Sequence, residues 1–310
     1  MSGIVWTGND GYLSANNLSK TLRYVVKPEC KFRQFAKIKN AVGKHKGQDF
    51  HWDVFSRVVT KGTTLVETNT MPETTFNITQ GTLTVEEYGN SVPYAGKLED
   101  LSELSMKEVI NEVMSIDAKE AFDTATEIRF NQTQLRVVPT AGTATDTVVL
   151  TTNGTATATN NVALGKEHIK VIVDTMKDRN IPPYMGNDYA CLARHTTLRN
   201  LKNELEAVHQ YVDEGFRLIL AGEIGRYEGV RFFEQTNIAS AGWSNSKSDW
   251  AYFFGKDTVA EGVACPEEIR AKLVSDYGRS KGLAWYYLGG FALQRLTAED
   301  ARIVKWDSAA

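Results

Sequence analysis

Cysteine is scarce in this 310-residue sequence: Cys30, Cys191 and Cys265 are far apart and odd in number. They form no C-x-x-C pair and no disulfide framework, which points to a reducing compartment. An excess of one charge is missing too, with 35 Lys and Arg against 38 Asp and Glu and a net charge of -3. That balance argues against a chain that grips nucleic acid through a generally basic surface, and against an acidic disordered tail. The longest apolar run, Leu283 to Leu293, is about half of the roughly 20 residues a membrane-spanning helix needs. The opening MSGIVWTGND has neither the basic nor the apolar region of a signal peptide. The expectation is a soluble protein, cytosolic or assembled in the cytosol, with no membrane partner.

Catalytic motifs are also absent. There is no G-x-S-x-G elbow, and no cysteine sits in a protease context. Gly222-x-x-Gly225-x-x-x-Gly229 lacks the Lys-Ser/Thr of a phosphate-binding loop and leads into a strand, so its glycines suit turns. His51 shares a strand face with Asp49 and Asp53, near His45. That face is either an ion site, the basis of a metal-dependent hydrolase, or the ordinary solvent side of a half-buried strand. His168, His195 and His209 have no partner at ligand spacing.

What is present is a chain with 42 % hydrophobic and 10 % aromatic residues, able to bury a proper core. Residues 1 to about 45 read as an arm. Leu18, Leu22, Val25 and Val26 make one short helical face that Pro28 ends. Phe32, Phe35 and Ile38 then alternate with Lys31, Arg33, Lys37 and Lys39. That basic cluster is either a solvated face or an arm lying against an acidic partner or nucleic acid.

From Gln48 to Gly89 the period becomes two. Phe50, Trp52 and Val54 alternate with polar residues, and Phe76, Ile78, Leu83 and Val85 do so on the return. Polar Thr60 to Thr75 makes the tip of a projecting β-arm. An isolated two-stranded hairpin is marginal in water. Its apolar face therefore folds back on its own domain or lies across a neighbour.

Leu98 to Ile128 repeats apolar residues at threes and fours, which predicts one helix of roughly 30 residues and about 45 Å. Nine threonines between Thr140 and Asn160 follow. There Thr147 to Thr151 and Thr155 to Thr159 predict a hairpin round a type I′ turn at Asn153-Gly154. Leu164 to Met176 and Leu198 to Val208 read as helices. Tyr189 to Ala193, Arg226 to Glu234, Asp249 to Gly255, Ile269 to Asp276, Trp285 to Leu296 and Ile303 to Trp306 read as strands. The class is α+β, without βαβ regularity.

This order of arm, aromatic hairpin, very long helix, Thr-rich hairpin and mixed region resembles the major capsid protein of tailed bacteriophages (Caudoviricetes), with the Hong Kong 97-type shell fold. Gly222-Glu-Ile-Gly225-Arg-Tyr-Glu-Gly229-Val-Arg-Phe-Phe-Glu is similar to a G-x-I-G-x-x-x-G-V-x-x-x-E stretch of a podophage-associated branch. Tyr277-Gly278-Arg-Ser-Lys-Gly282-Leu-Ala-Trp285 looks like the return strand of that branch.

The resemblance implies an N-terminal arm at 1–47, an E-loop at 48–95 and a P-domain at 96–189. That P-domain carries a spine helix at 98–130 and the Thr-rich hairpin at 140–160. Residues 190–270 are mostly A-domain, and 271–310 are return strands. It implies self-assembly into hexamers and pentamers of an icosahedral shell round double-stranded DNA, without catalysis, metal or cofactor. Portal, scaffolding and decoration proteins would be further partners, and DNA contact weak and non-specific. The location would be the virion capsid, and the host cytoplasm during assembly. Phe50, Trp52, Phe55, Phe76 and Ile78 are then the candidate intersubunit contacts. An encapsulin-like cellular shell of the same fold is the alternative.

Overall fold

The computed structural model describes residues 30–39, 47–55, 58, 62–102, 105–140, 148–154, 156–157, 160–209, 225–239, 250–273 and 276–308. The predicted helical face at Leu18 to Val26 lies outside them. After a 3-10 turn at Phe32–Phe35 come β1 (Lys37–Lys39), β2 (Asp49–Phe55), β3 (Ile78–Thr84) and β4 (Glu86–Ala95). Helices α1 (Gly96–Leu101) and α2 (Met106–Asn131) lead to β5 (Leu135–Pro139) and β6 (Val148–Thr152). Then follow α3 (Lys166–Asp178), β7 (Tyr189–Ala193), α4 (Arg199–His209), β8 (Arg226–Tyr227) and β9 (Val230–Glu234). The chain ends with β10 (Ala251–Phe254), β11 (Val259–Ala271), β12 (Ser280–Leu293) and β13 (Ile303–Trp306). Among the described residues no helix is long and apolar enough to cross a membrane.

The single helix expected over 98–130 is two. Ser102 after α1 and Ser105 before α2 are both extended, with ψ of 134° and 103°. Serine competes for backbone hydrogen bonds and favours such breaks. α2 alone has 26 residues, a rod of about 39 Å. Its buried Met106, Ile110, Met114, Phe122 and Phe130 fall on a four-residue spacing. Four residues overshoot a helical turn by about 40°, so the stripe winds round the rod. Phe122 thereby meets Trp285 and Tyr287 of β12, and Phe130 meets Tyr252 and Phe254 of β10. One helix packs on two sheets.

Those sheets are a four-stranded β1-β11-β12-β4 and a seven-stranded β6-β5-β13-β10-β7-β9-β8. β10 lies inside the larger one and is buried throughout. Its Ala251 and Phe253 face a core built with α3 and α4, while Tyr252 and Phe254 face the core under α2. The expected strand at Ile269 to Asp276 instead begins at Val259 and ends at Ala271. Its register with β12 shifts between Cys265 and Glu268, at Pro266, whose missing N–H a bulge accommodates.

The Thr-rich hairpin is corrected as well. Val148–Thr152 pairs antiparallel with Leu135–Pro139. Leu135 and Val137 are buried in the core and give that strand its core face. The stretch 155–159, partly outside the described residues, has Ala156 as its one apolar member besides Ala158. Asn153 has φ of 52° but Gly154 is not left-handed, so no type I′ turn forms there. That turn occurs instead between β8 and β9, where Glu228 and Gly229 have φ of 48° and 72°. The two positive angles explain the glycine at 229.

Candidate assembly surface

β2 and β3 pair antiparallel with Phe50 opposite Leu83, Trp52 opposite Gly81 and Phe55 opposite Ile78. Period two therefore sends Phe50, Trp52 and Val54 to one face and Asp49, His51, Asp53 and Phe55 to the other. The first face packs on this chain itself. Phe50 and Trp52 are half-buried against Leu83, Val85, Ala260 and Ala292. The Trp52 indole N–H donates to the Gln294 carbonyl at 3.0 Å. Gly81 makes this possible, because a Cβ there would overlap the indole ring. Gly81→Val should lift Trp52 off the root at a cost of about 1–3 kcal/mol. Hydrogen exchange across 49–55 and 78–84 should then accelerate by about tenfold or more; unchanged protection would show that the indole does not hold the hairpin.

Beyond the root the hairpin is uncovered. Phe55, Leu65, Val66, Met71, Phe76 and Ile78 are each more than half exposed, with Met71 at 68 %. The Phe55 and Phe76 rings lie 6.3 Å apart. Full burial of such side chains contributes roughly 1.5–3 kcal/mol apiece. Together they represent on the order of 10 kcal/mol before the costs of association. Of the five candidate contacts, Phe50 and Trp52 are thus engaged within the chain, whereas Phe55, Phe76 and Ile78 are open.

The polar face of β2 shows ordinary cross-strand pairing. His51 Nδ1 lies 2.9 Å from Thr82 Oγ1, and Thr84 Oγ1 donates to Asp49 at 2.8 Å. His45 lies outside the described residues. Among those described, no group of three or more His, Cys, Asp or Glu has the geometry to hold a metal ion. His168 is a buried cap, its Nδ1 accepting the Gly165 N–H at 3.0 Å, and burial pushes its pKa down.

The basic cluster of the arm meets acids of this same chain. Arg33 pairs with buried Glu261 at 2.7 Å and with Glu267, and Lys37 pairs with Asp257 at 2.7 Å. Phe32 is fully buried between Phe130 and Tyr252. Ile38 alone of the three arm hydrophobics is largely exposed, at 64 %.

A second uncovered surface escaped the sequence reading. At the far end of the β11–β12 hairpin Ile269, Leu273 and Tyr277 are exposed, Leu273 to 90 %. Asp276 and Tyr277 there have φ of 54° and 52°, strained for non-glycine residues. The sequence carried no separate signal for it, because Ala271 to Ser275 reads as the continuation of a strand over Ile269 to Asp276.

No protein-family model matches the sequence. No curated protein matches it either. Solved structures do match. The capsid of cyanophage P-SCSP1u aligns over 96 % of this chain and 93 % of that chain, with a TM-score of 0.69 and 11 % identity. The capsid of Helicobacter pylori bacteriophage KHP30 covers 99 % of both, with a TM-score of 0.69 and 11 % identity. Mycobacterium phage Che8 aligns over 94 % of this chain and 96 % of that one, with a TM-score of 0.66 and 16 % identity. The chain has the phage-capsid fold. It is the mixed α+β, Hong Kong 97-type architecture expected from the order of its parts. Among the described residues, the hairpin and the β11–β12 end both carry clustered, exposed large apolar side chains.

Proposed function

We propose that this chain is a major capsid protein of a tailed bacteriophage. It assembles into hexamers and pentamers that close an icosahedral shell round double-stranded DNA. The observation that carries the reading is the uncovered hairpin: six large apolar side chains on a limb rooted by Trp52, in a fold shared with phage capsids. A stable interface buries about 1,600 Å² in total, an area that a limb of this length supplies in large part. The five candidate contacts divide their work accordingly. Phe50 and Trp52 set the root, and Phe55, Phe76 and Ile78 lie against the next subunit.

In this reading residues 1–47 are the arm, 48–95 the E-loop, 96–189 the P-domain, 190–270 mostly the A-domain and 271–310 the return strands. The role is structural and not catalytic, exerted in the virion capsid after assembly in the host cytoplasm. Portal, scaffolding and decoration proteins are its further partners. A net charge of -3 suits weak, non-specific contact with DNA. The chain expressed alone or with its scaffolding partner, then examined by electron microscopy, should give closed shells. A monodisperse monomer under both conditions would overturn the proposal, and shells filled with protein cargo would replace the virion by a cellular compartment.

A further inference from the structure

His168 stands in the first turn of α3 and is fully buried, its ring centroid 4.9 Å from that of Trp306 in β13. Its Nδ1 accepts the Gly165 N–H at 3.0 Å, so the proton of the neutral ring is on Nε2. That buried Nε2 has no hydrogen-bond partner among the described residues. Glutamate or glutamine ordinarily does this capping work, without a ring that can charge near neutral pH. The next N–H, of Lys166, is accepted by Glu204 of α4 at 2.7 Å. Asn200 of α4 donates to Glu204 at 3.0 Å and to the Leu164 carbonyl at 3.2 Å. The start of α3 is thus held twice, by its own histidine and by α4. Ile169 and Ile172 of α3 share one core with Leu201 and Leu205 of α4.

A second proton can be added only at Nδ1, where it would point at the Gly165 N–H. The cap must then break, and the imidazolium would present two N–H groups with no acceptor in place. Glu204 and Glu167 attract such a charge, but their oxygens are engaged. Glu204 accepts from Lys166 and Asn200, and Glu167 pairs with Lys170 at 2.9 Å. Tyr227 of β8 lies near the same two carboxylates and Lys170. Lys305 and Asp307, on either side of Trp306, point to the other face of β13 and pair with each other. We propose that His168 is an acid latch, which as neutral imidazole pins the start of α3 beside α4 and on taking up a proton releases both helices.

Burial pushes the His168 pKa down from its ordinary 6.5, against the pull of Glu204 and Glu167. An opened form with the ordinary value therefore binds the proton more readily than the closed one. The contribution of the latch to stability is whole above pH 6.5 and is lost as pH falls below it. Each pH unit below that point favours the opened form by up to about tenfold.

The test is hydrogen exchange of the full chain at about pH 7.5 and about pH 5.5, corrected for the intrinsic pH dependence of exchange. Segments 165–172 and 199–209 should lose protection by up to about tenfold at the lower pH, while β11 and β12 keep theirs. His168→Gln, whose amide oxygen can accept the Gly165 N–H without titrating, should keep both segments protected at either pH. Equal protection of the wild-type segments at the two pH values would overturn the latch. So would an acid loss in His168→Gln as large as in the wild type. If that variant does not fold, the ring nitrogens of the wild type, followed by nuclear magnetic resonance, decide the matter. Nδ1 should stay unprotonated wherever 165–172 is protected, and a protonated Nδ1 in a protected segment would overturn the proposal. None of these readouts depends on whether the chain forms shells.

Discussion

Phe55→Asp combined with Phe76→Asp should give subunits that fold but do not assemble. Both side chains are more than half exposed, so their replacement removes little packing within the chain. Surface changes of this kind shift folding stability by about 0.5 kcal/mol or less. At an interface the same positions would carry a pair of aromatic anchors, and truncating such anchors costs about 2 kcal/mol or more each. Placing a carboxylate in a dry contact adds the penalty of an unpaired charge. Repeated at every contact of a closed shell, this loss stops assembly. Sedimentation velocity should show slow particles only, with a thermal midpoint near that of the wild type. Shells at wild-type yield would remove the hairpin tip from the interface.

Phe32→Ala should have the largest effect on folding. The ring is fully buried, 5.2 Å from Phe130 and 5.6 Å from Tyr252 between centroids. It also positions the backbone N–H that Asp123 accepts. Deleting a buried phenyl group in such a setting costs about 3–5 kcal/mol. Since whole domains are stable by only about 5–15 kcal/mol, this is a large share. Denaturant unfolding should show the midpoint falling steeply, and Phe32→Leu should restore part of it. A loss below about 1 kcal/mol would mean that the arm is not part of the folded core.

Much of the fold was legible because its pattern is local. The alternation of β10 shows at Trp250, Tyr252 and Phe254, which do share one face in the core under α2. Asn180 and the two prolines after it mark the end of α3. There Asn180 adopts φ of 55° and the Ile181 N–H returns to the Met176 carbonyl, a Schellman closure. The helix break was hidden because Leu98 and Leu101 continue the spacing of α2 across the serines. Partner choice is not local either, which is why Val148–Thr152 was paired forwards instead of back onto Leu135–Pro139.

The assembly surface was half legible. Period two identified the hairpin, but the candidate contacts that the resemblance implies put Phe50 and Trp52 together with Phe55 and Ile78, which the register separates onto opposite faces. Glycine at position 81 was the available clue, since it stands where a large ring must lie across the neighbouring strand. Asp123 carried no signal at all. Its partners Phe32 and Gln235 lie 91 and 112 residues away, beyond any sequence period.

A cryo-electron reconstruction of the assembled particle is the most direct test of self-association through extended limbs. Phe55, Phe76 and Ile78 should be found covered by an adjacent subunit, with Trp52 still seated on its own Gln294. Particles in which that hairpin faces solvent, or a preparation in which the chain never leaves the monomeric state, would contradict it.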